Sequence, residues 1–496
     1  MPKLVKITLA PGRQSIQVPM GTDLKEVLHR FGVEFPCGGR GRCGACRIKL
    51  IEGELPVTQA CADTLSQEET EAGWRFSCRH RADQDLTFEL GQREALVLTE
   101  HGSFQIEVQE GTAIVVDLGT TTLVAQLIDL ESGQVLAVET ALNPQAVHGG
   151  DLMTRIDFGL SEDGRVTLMQ SIREKLGELI QGLLSFAPSS IAVPGRILLA
   201  GNTVMHHLFC GLKLTALSSP PFESLELGSR RFAARELGWE IIGDPEVTFL
   251  PCLGGFVGSD ILAGILATGM HLSENLIGLA DLGTNGEIVI GNRHGIFCAS
   301  TAAGPAFEAG GIEMGMRAAT GAIVEVEVHQ EEVSCQVLGG GQAQGICGSG
   351  LVDAVAAGLA LGRLEPSGRL LEEHRPFQLS GRVAITQHDV RQLQLAKGAI
   401  AAGIRILLKN AKAEPADLSE FYLAGAFGNY VKSDSARRVG LLPFSKEQIQ
   451  AAGNTSLHGL KTLIFSKDNY DFDALTKKVE HVPLASDDEF QKLFVM

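Results

Sequence analysis

The sequence predicts two unlike folds in series: a small α+β domain of the β-grasp kind, then a large two-lobed α/β domain built on an internal repeat. Three observations predict this. Residues 35–46 place Cys37, Cys43 and Cys46 in a glycine-rich loop between strand-like segments, and Cys78 answers them downstream. An apolar strand running into Asp-Leu-Gly-Thr occurs at residues 112–125 and returns at residues 277–290. A third apolar strand, residues 421–424, ends in Gly425-Ala426-Phe427-Gly428. At 496 residues the chain is too long for a single core, so several domains are expected.

Composition narrows the function classes. Hydrophobic residues at 44% against 20% charged suit a well-buried globular protein. The 58 glycines, with few aromatics, suit an α/β protein with tight turns near ligands. A net charge of −17 argues against nucleic acid as a partner, because phosphate binding needs a basic surface. No run of eighteen apolar residues is present, so no membrane span is expected. Residues 1–7 alternate like a strand and lack a signal-peptide apolar region. The expected location is the cytoplasm, where the ten cysteines stay reduced.

The first domain is expected over residues 1–92. Residues 3–9 and 15–18 alternate as a hairpin with Pro11-Gly12 at the turn. Thr22 and Asp23 can cap a helix carrying Leu24, Val27, Leu28 and Phe31, ended by Gly32. Residues 47–51 form a strand after the cysteine loop, and Ser66-Gln67-Glu68-Glu69 opens a helix in capping-box style. Phe76-Ser77-Cys78 then delivers the last cysteine before a final strand at 86–90. Four thiolates are the ligand set of a 2Fe–2S cluster, and the glycines let the backbone turn its N–H groups toward the sulfurs.

This order resembles the β-grasp 2Fe–2S ferredoxins over about the first fifth of the chain. The spacing C-x5-C-x2-C departs from the plant-type C-x4-C-x2-C and looks like the adrenodoxin-like branch. The rival readings are four buried structural cysteines and a zinc site. Zinc usually takes paired C-x2-C ligands, and one such pair is present. Cys61 lies between the two halves of the ligand set and is the other candidate for fourth ligand. Cys78 suits that place better, between a helix and the last strand.

Residues 93–110 are expected to be a linker, though Phe104, Ile106 and Val108 alternate as a strand would. The large domain follows over residues 111–496. In its two hairpins glycine permits a turn tight enough to bring backbone N–H groups against phosphate oxygens. Threonine adds hydroxyl donors, and Asp117 and Asp281 at the strand ends can hold Mg2+ directly or through water. Facing each other, the hairpins would clamp a nucleotide's phosphates. The Gly425–Gly428 turn allows close approach of an adenosine, or is a plain strand-to-helix turn with a helix from Ser433.

That order resembles the family containing acetate and sugar kinases, Hsp70 and actin, over roughly residues 111–470. The resemblance implies a duplicated ribonuclease-H-like fold with ATP in the cleft. It assigns Asp117, Gly119, Thr120 and Thr121 to the first phosphate loop. Asp281, Gly283, Thr284, Asn285 and Gly286 form the second, and Gly425, Ala426 and Gly428 face adenosine. Asp260, at the start of an apolar helix over 261–270, falls at the first interdomain connecting helix. It is a candidate to orient the attacking water, or else a helix N-cap.

Both halves together narrow the resemblance. A cluster domain ahead of such an ATPase, with the segments 200–207, 303–308, 345–350 and 394–400, looks like the reductive activators of corrinoid proteins. The resemblance implies transfer of one electron, received from a cellular donor, to Co(II) of a partner corrinoid protein, restoring Co(I) with the help of ATP. Plant-type clusters lie near about −400 mV, and the cobalt couple generally lies lower, so the transfer is uphill. Gly304 and Glu308, in the 303–308 segment, are placed near the nucleotide; Glu308 would otherwise be an exposed loop acid. Longer members carry an extra domain between cluster and ATPase, for which little room exists here, so a homodimer stays open.

Three other classes remain: a small-molecule kinase with a regulatory cluster, an activator of a radical dehydratase or benzoyl-CoA-type reductase, and a non-enzymatic electron carrier. The absence of G-x-x-x-x-G-K-[ST] excludes a P-loop ATPase. His206-His207 point about 100° apart on a helix and make a poor metal pair. Cys210, Cys252, Cys298, Cys335 and Cys347 stand singly, as core thiols do. Gly339-Gly340-Gly341 reads as a turn.

Overall fold

A computed structural model describes residues 3–10, 14–29, 47–90, 109–186, 193–283, 285–319, 321–371, 373, 375–466 and 471–494. The chain divides into two compact units. Residues 1–97 and 312–387 make one; residues 98–311 and 388–496 make the other. Among the described residues no helix is long and apolar enough to cross a membrane.

The N-terminal part of the first unit is a five-stranded sheet. Its order is Gln14–Pro19, Leu4–Ala10, Leu86–Leu90, Arg47–Glu52, Trp74–Phe76. The strand from the start of the domain runs parallel to the one from its end, Ile7 opposite Leu86, which is the β-grasp arrangement. Alternation puts Ile7, Ile48, Phe76 and Phe88 on one face, where they bury Leu24, Val27 and Leu28 of the helix Leu24–His29. Thr22 and Asp23, just before that helix, pair as a short strand with Arg81–Ala82. Gly32 lies outside the described residues. The capping box is formed in full, with Ser66 Oγ accepting from Glu69 N at 3.1 Å and Glu69 Oε2 from Ser66 N at 2.9 Å.

Residues 312–387 are grouped with the first unit. They have a core of their own, in which Ala322, Val324 and Cys347 gather where the hairpin Ala322–His329/Glu332–Val337 meets the helix Gly348–Ala360. Gly350 makes that packing possible, since a Cβ there would sit 2.2 Å from the Ile323 carbonyl oxygen.

The second unit holds two six-stranded sheets. The first runs Val135–Leu142, Thr122–Asp129, Thr112–Leu118, Pro194–Ala200, Glu246–Phe249, Arg230–Ala233. The second runs Ile449–Gly453, Leu418–Ala424, Leu276–Leu282, Gly286–Asn292, Gly295–Thr301, Val479–His481. Each lobe repeats one plan: three antiparallel strands in chain order, then a fourth and a fifth parallel to the first on its other side. The sixth strands break the symmetry. This is the duplicated ribonuclease-H-like architecture that the family resemblance implied. After each fifth strand comes a connecting helix, Ser259–Ala267 or Thr455–Phe465. The two helices touch backbone to backbone, for a Cβ on Gly459 would lie 1.9 Å from the Ala263 carbonyl oxygen.

Candidate functional site: a cysteine turn and a two-hairpin cleft

Cys37, Cys43 and Cys46 lie outside the described residues. Cys78 sits half-buried in the short turn Ser77–Arg79 just past the strand Trp74–Phe76. Arg47, the residue after the loop, pairs with Phe76, so the chain re-enters the sheet at the end where Cys78 stands. Cys61 has a different environment. Its sulfur is buried in the core, accepts the Thr58 hydroxyl at 3.2 Å and lies 3.4 Å from the Phe76 N–H. It lies in the helix Gln59–Thr64, capped by Thr58, which the sequence reading had not marked.

In the cleft of the second unit, the strand Thr112–Leu118 turns through Gly119, Thr120 and Thr121 into Thr122–Asp129. Gly119 closes the turn with its N–H on the Thr122 carbonyl at 3.2 Å, and a Cβ there would come within 2.5 Å of that oxygen. The strand Leu276–Leu282 turns likewise into Gly286–Asn292, with Gly283 N–H on the Asn285 carbonyl at 2.9 Å. Thr284 lies outside the described residues. Gly286 meets a packing demand, since a Cβ would fall 2.0 Å from Ile400 Cδ1.

In each lobe the fourth strand pairs beside the aspartate, Ala200 with Asp117 and Ala424 with Asp281. Gly425 follows with φ +77°, and a Cβ there would stand 2.9 Å from Asp281 Oδ1. The Gly425-x-x-Gly428 segment is itself a short helix, Gly425–Tyr430, and a second helix starts at Ser433 as expected. Gly428 is turned inward on the Leu423 carbonyl, which a Cβ would approach to 2.5 Å. The side chain of Ala426 is outside the described set. Gly304 has φ +79° and open space where a Cβ would stand. Glu308 is exposed in the turn Pro305–Glu308 and still acts electrostatically on Asp281.

The acids converge. Burial raises Asp117, opposed by the Asn454 amide that donates to its Oδ2 at 2.8 Å. Burial, then Asp117 and Glu308, push Asp281 up to about 7. Asp260 is pushed up to about 8 by burial and by Asp281. It is the second residue of its helix, and Gly258 holds the N-cap position. Glu287, directly opposite Asp281 in the ladder, is raised well above the usual carboxylate range by burial and by Asp260 and Asp281, against a 3.1 Å bond from the Ser300 hydroxyl. The neighbours acting on Asp117 and Asp281 are acids or neutral donors, so the cleft is short of positive charge, as a cation site should be. Among the described residues no three His, Cys, Asp or Glu side chains form a ready metal cage. A Mg2+ ion therefore fits as one held by one or two carboxylates, with water and phosphate completing its octahedron.

Sequence reasoning missed Asn454, Asn143 and Glu287. Asn143 donates to the Gly119 carbonyl at 2.9 Å, and Asn202, noticed only within a motif, donates to Thr120 Oγ1 at 2.9 Å. His206 and His207 are core residues. His207 bonds the Thr203 carbonyl and the Ser224 hydroxyl, each at 2.8 Å, and His206 packs edge-on against Phe249.

Comparison with known proteins matches three successive segments of the chain. Residues 7–83 match the model of the 2Fe-2S iron-sulfur cluster binding domain, residues 112–273 the RACo middle region, and residues 275–496 the C-terminal domain of RACo, the ASKHA domain. The last two models meet between the lobes, just before the strand Leu276–Leu282. The corrinoid activation enzyme RamQ of Eubacterium limosum is 34% identical over 412 residues, covering 77% of this chain and 69% of that protein. A Co(II) methylated amine-specific corrinoid protein reductase of Methanosarcina barkeri is 28% identical over 421 residues, covering 77% and 76%. A solved structure titled reductive activator for corrinoid, iron-sulfur protein superposes with TM-score 0.69 at 25% identity, covering 99% of this chain and 97% of that one.

Proposed function

The chain belongs to the RACo family of corrinoid-activating reductases, and on that premise we propose that it is an ATP-hydrolysing reductive activator of a corrinoid protein. It takes one electron from a cellular donor and passes it to Co(II) of a cytoplasmic partner, restoring the Co(I) that accepts methyl groups. The observation that carries this reading is the convergence of Asp117, Asp260 and Asp281 on one cleft, in a chain that begins with an iron–sulfur domain. The relatives' names favour it over the kinase and dehydratase-activator readings.

In this reading residues 1–92 carry the cluster on Cys37, Cys43, Cys46 and Cys78, residues 93–110 link, and residues 111–496 supply the ATPase. The cluster, when bound, supplies one-electron transfer at low potential. N–H groups of the Gly119–Thr121 and Gly283–Gly286 turns other than those of Gly119 and Gly283, which close the turns, hold phosphate oxygens. Asp117 and Asp281 orient the water shell of Mg2+, and Asp260 orients the attacking water. Gly425 lets backbone approach the nucleoside beside Asp281. ATP helps an uphill transfer only if the open and closed lobes differ in affinity for the partner or for its cobalt ligation.

The test is the visible spectrum of a corrinoid protein mixed anaerobically with this chain and a reductant. Loss of the Co(II) band only when Mg-ATP is added supports the proposal; a band indifferent to ATP rejects it. For the cluster, Cys78→Ser should remove the iron–sulfur absorption and Cys61→Ser should leave it. The opposite pattern would exchange their roles.

A further inference from the structure

Three asparagines hold the first hairpin, and all do so in one way. Each uses its side-chain oxygen to cap a turn: Asn143 accepts from Gln145 N at 3.0 Å, Asn202 from Met205 N at 3.0 Å, and Asn454 from Leu457 N at 2.9 Å. Each gives its NH2 to the hairpin, at Gly119, Thr120 and Asp117 respectively. With both ends of the amide engaged, its plane is set by backbone on one side and directs the donor on the other. Asn143 and Asn202 belong to the same lobe as the hairpin. Asn454 comes from the other lobe, at the N-cap of the connecting helix Thr455–Phe465.

We infer that Asn454 is a positioning residue that couples the metal-bearing carboxylate of Asp117 to the connecting helix of the opposite lobe. The inference rests on the ATP-binding reading above and adds the residue through which a loaded Asp117 acts on the lobes. Asn454 holds Oδ2 of Asp117, the carboxylate that a cation's water shell would meet. An anchored carboxylate meets that shell without first losing rotamer freedom. The same amide begins a helix whose Gly459 lies on the Ala263 backbone of its counterpart, so a shift of Asp117 is passed to the helix pair between the lobes. In the reverse direction the first lobe's connecting helix carries an acid, Asp260, on which Asp281 acts electrostatically.

Two substitutions separate this role from a merely structural one. Asn454→Ser keeps a good N-cap but is too short to reach Asp117, and Asn454→Asp keeps the cap while setting acceptor against acceptor. Binding of a non-hydrolysable ATP analogue to the full-length chain is measured calorimetrically with and without Mg2+, alongside thermal unfolding. The wild type should bind more tightly with Mg2+. Asn454→Ser should keep the Mg2+-free affinity and the melting temperature while losing about tenfold of the Mg2+-dependent gain, the scale of one hydrogen bond to a charged group. Asn454→Asp should lose more. A wild-type gain in Asn454→Ser, or an equal loss with and without Mg2+, overturns the inference and leaves the ATPase reading standing. A wild-type chain that binds no nucleotide brings down both.

Discussion

The two phosphate hairpins share a backbone plan and differ in what surrounds their aspartates. In the first lobe the residue across the ladder from Asp117 is Val124; in the second the residue across from Asp281 is Glu287. The first turn is also one residue longer, since Leu118 pairs with Leu123 whereas Leu282 pairs with Gly286. Amide donors from Asn143, Asn202 and Asn454 brace the first hairpin. The second instead faces Asp260, Glu287 and Glu308. Duplication thus preserved the geometry that cradles phosphates and let the electrostatics diverge. One copy is organised before ligand arrives, and the other crowds acids together, which keep protons until a cation arrives.

The largest effect should come from removing the acid at the centre of that group. Asp281→Asn ought to lower ATP turnover by about a hundredfold or more, the scale of losing one group that stabilises charge in the transition state. Asp117→Asn should fall in the same range but with a larger rise in KM, because its neighbours are organised for binding. Visible absorption of the iron–sulfur domain should be unchanged in both. Equal kcat and KM changes in the two variants would contradict the division of labour between the hairpins.

Gly425 should come next. Alanine there must hold φ near +77° and place a Cβ 2.9 Å from Asp281 Oδ1, so Asp281 or the turn must move. The left-handed conformation alone costs an L-residue about 1–2 kcal/mol, and we expect about a tenfold loss in nucleotide affinity. Its counterpart Gly201 has an ordinary φ and would meet the Leu118 carbonyl at 2.6 Å. Gly201→Ala should therefore perturb the fold, seen as a lower melting temperature, more than it perturbs Asp117. Direct titration of both variants with nucleotide distinguishes these outcomes.

What the sequence displayed of this comparison was its local part. Asp-Leu-Gly-Thr is contiguous, so both hairpins were visible, and the Ser66–Glu69 capping box spans four residues and formed as read. Asn454 carries only an N-cap signal locally, and its bond to Asp117 spans 337 positions that the fold alone brings together. Glu287 looked like one polar position in an apolar strand, and the other acids that crowd it lie on separate segments. Thr22-Asp23 showed a capping pattern, but their pairing with Arg81–Ala82, 58 residues or more away, is nothing that a local pattern displays. The 312–387 insertion has no break in composition to announce it; its own core exists only once the hairpin and helix meet.

The pH dependence of the nucleotide-free chain sharpens the contrast further. Asp281 near 7 and Asp260 near 8 titrate above the ordinary carboxylate range. The folded state therefore holds protons that the unfolded chain has released, and this contribution to stability declines as pH rises toward 8. The melting temperature should fall between pH 6 and pH 8, and Mg-nucleotide should flatten the decline by supplying the missing positive charge. Glu287→Gln should flatten it too, since it removes an acid that itself holds its proton in the folded state. Val124→Glu should create a similar slope in the first lobe, unless the asparagine donors absorb the added charge. A slope unchanged by Glu287→Gln would place its origin elsewhere in the molecule.

The smallest effect should be that of Asn143→Ser. Serine can still cap the turn Pro144–Val147 but cannot reach the Gly119 carbonyl. The bond lost is between neutral groups, worth about 0.5–1.5 kcal/mol. Asn143 is buried, so water cannot readily replace the donor, and the deficit should appear in the melting temperature. Gly119 is also held by its own N–H to Thr122, which keeps the turn closed without the asparagine. Nucleotide affinity should consequently fall by only a fewfold and by the same factor with or without Mg2+, because the bond is made to backbone and not to the carboxylate. A Mg2+-selective loss in Asn143→Ser would mean that the three asparagines act on Asp117 as one unit, and the special place given to Asn454 would then belong to the whole brace.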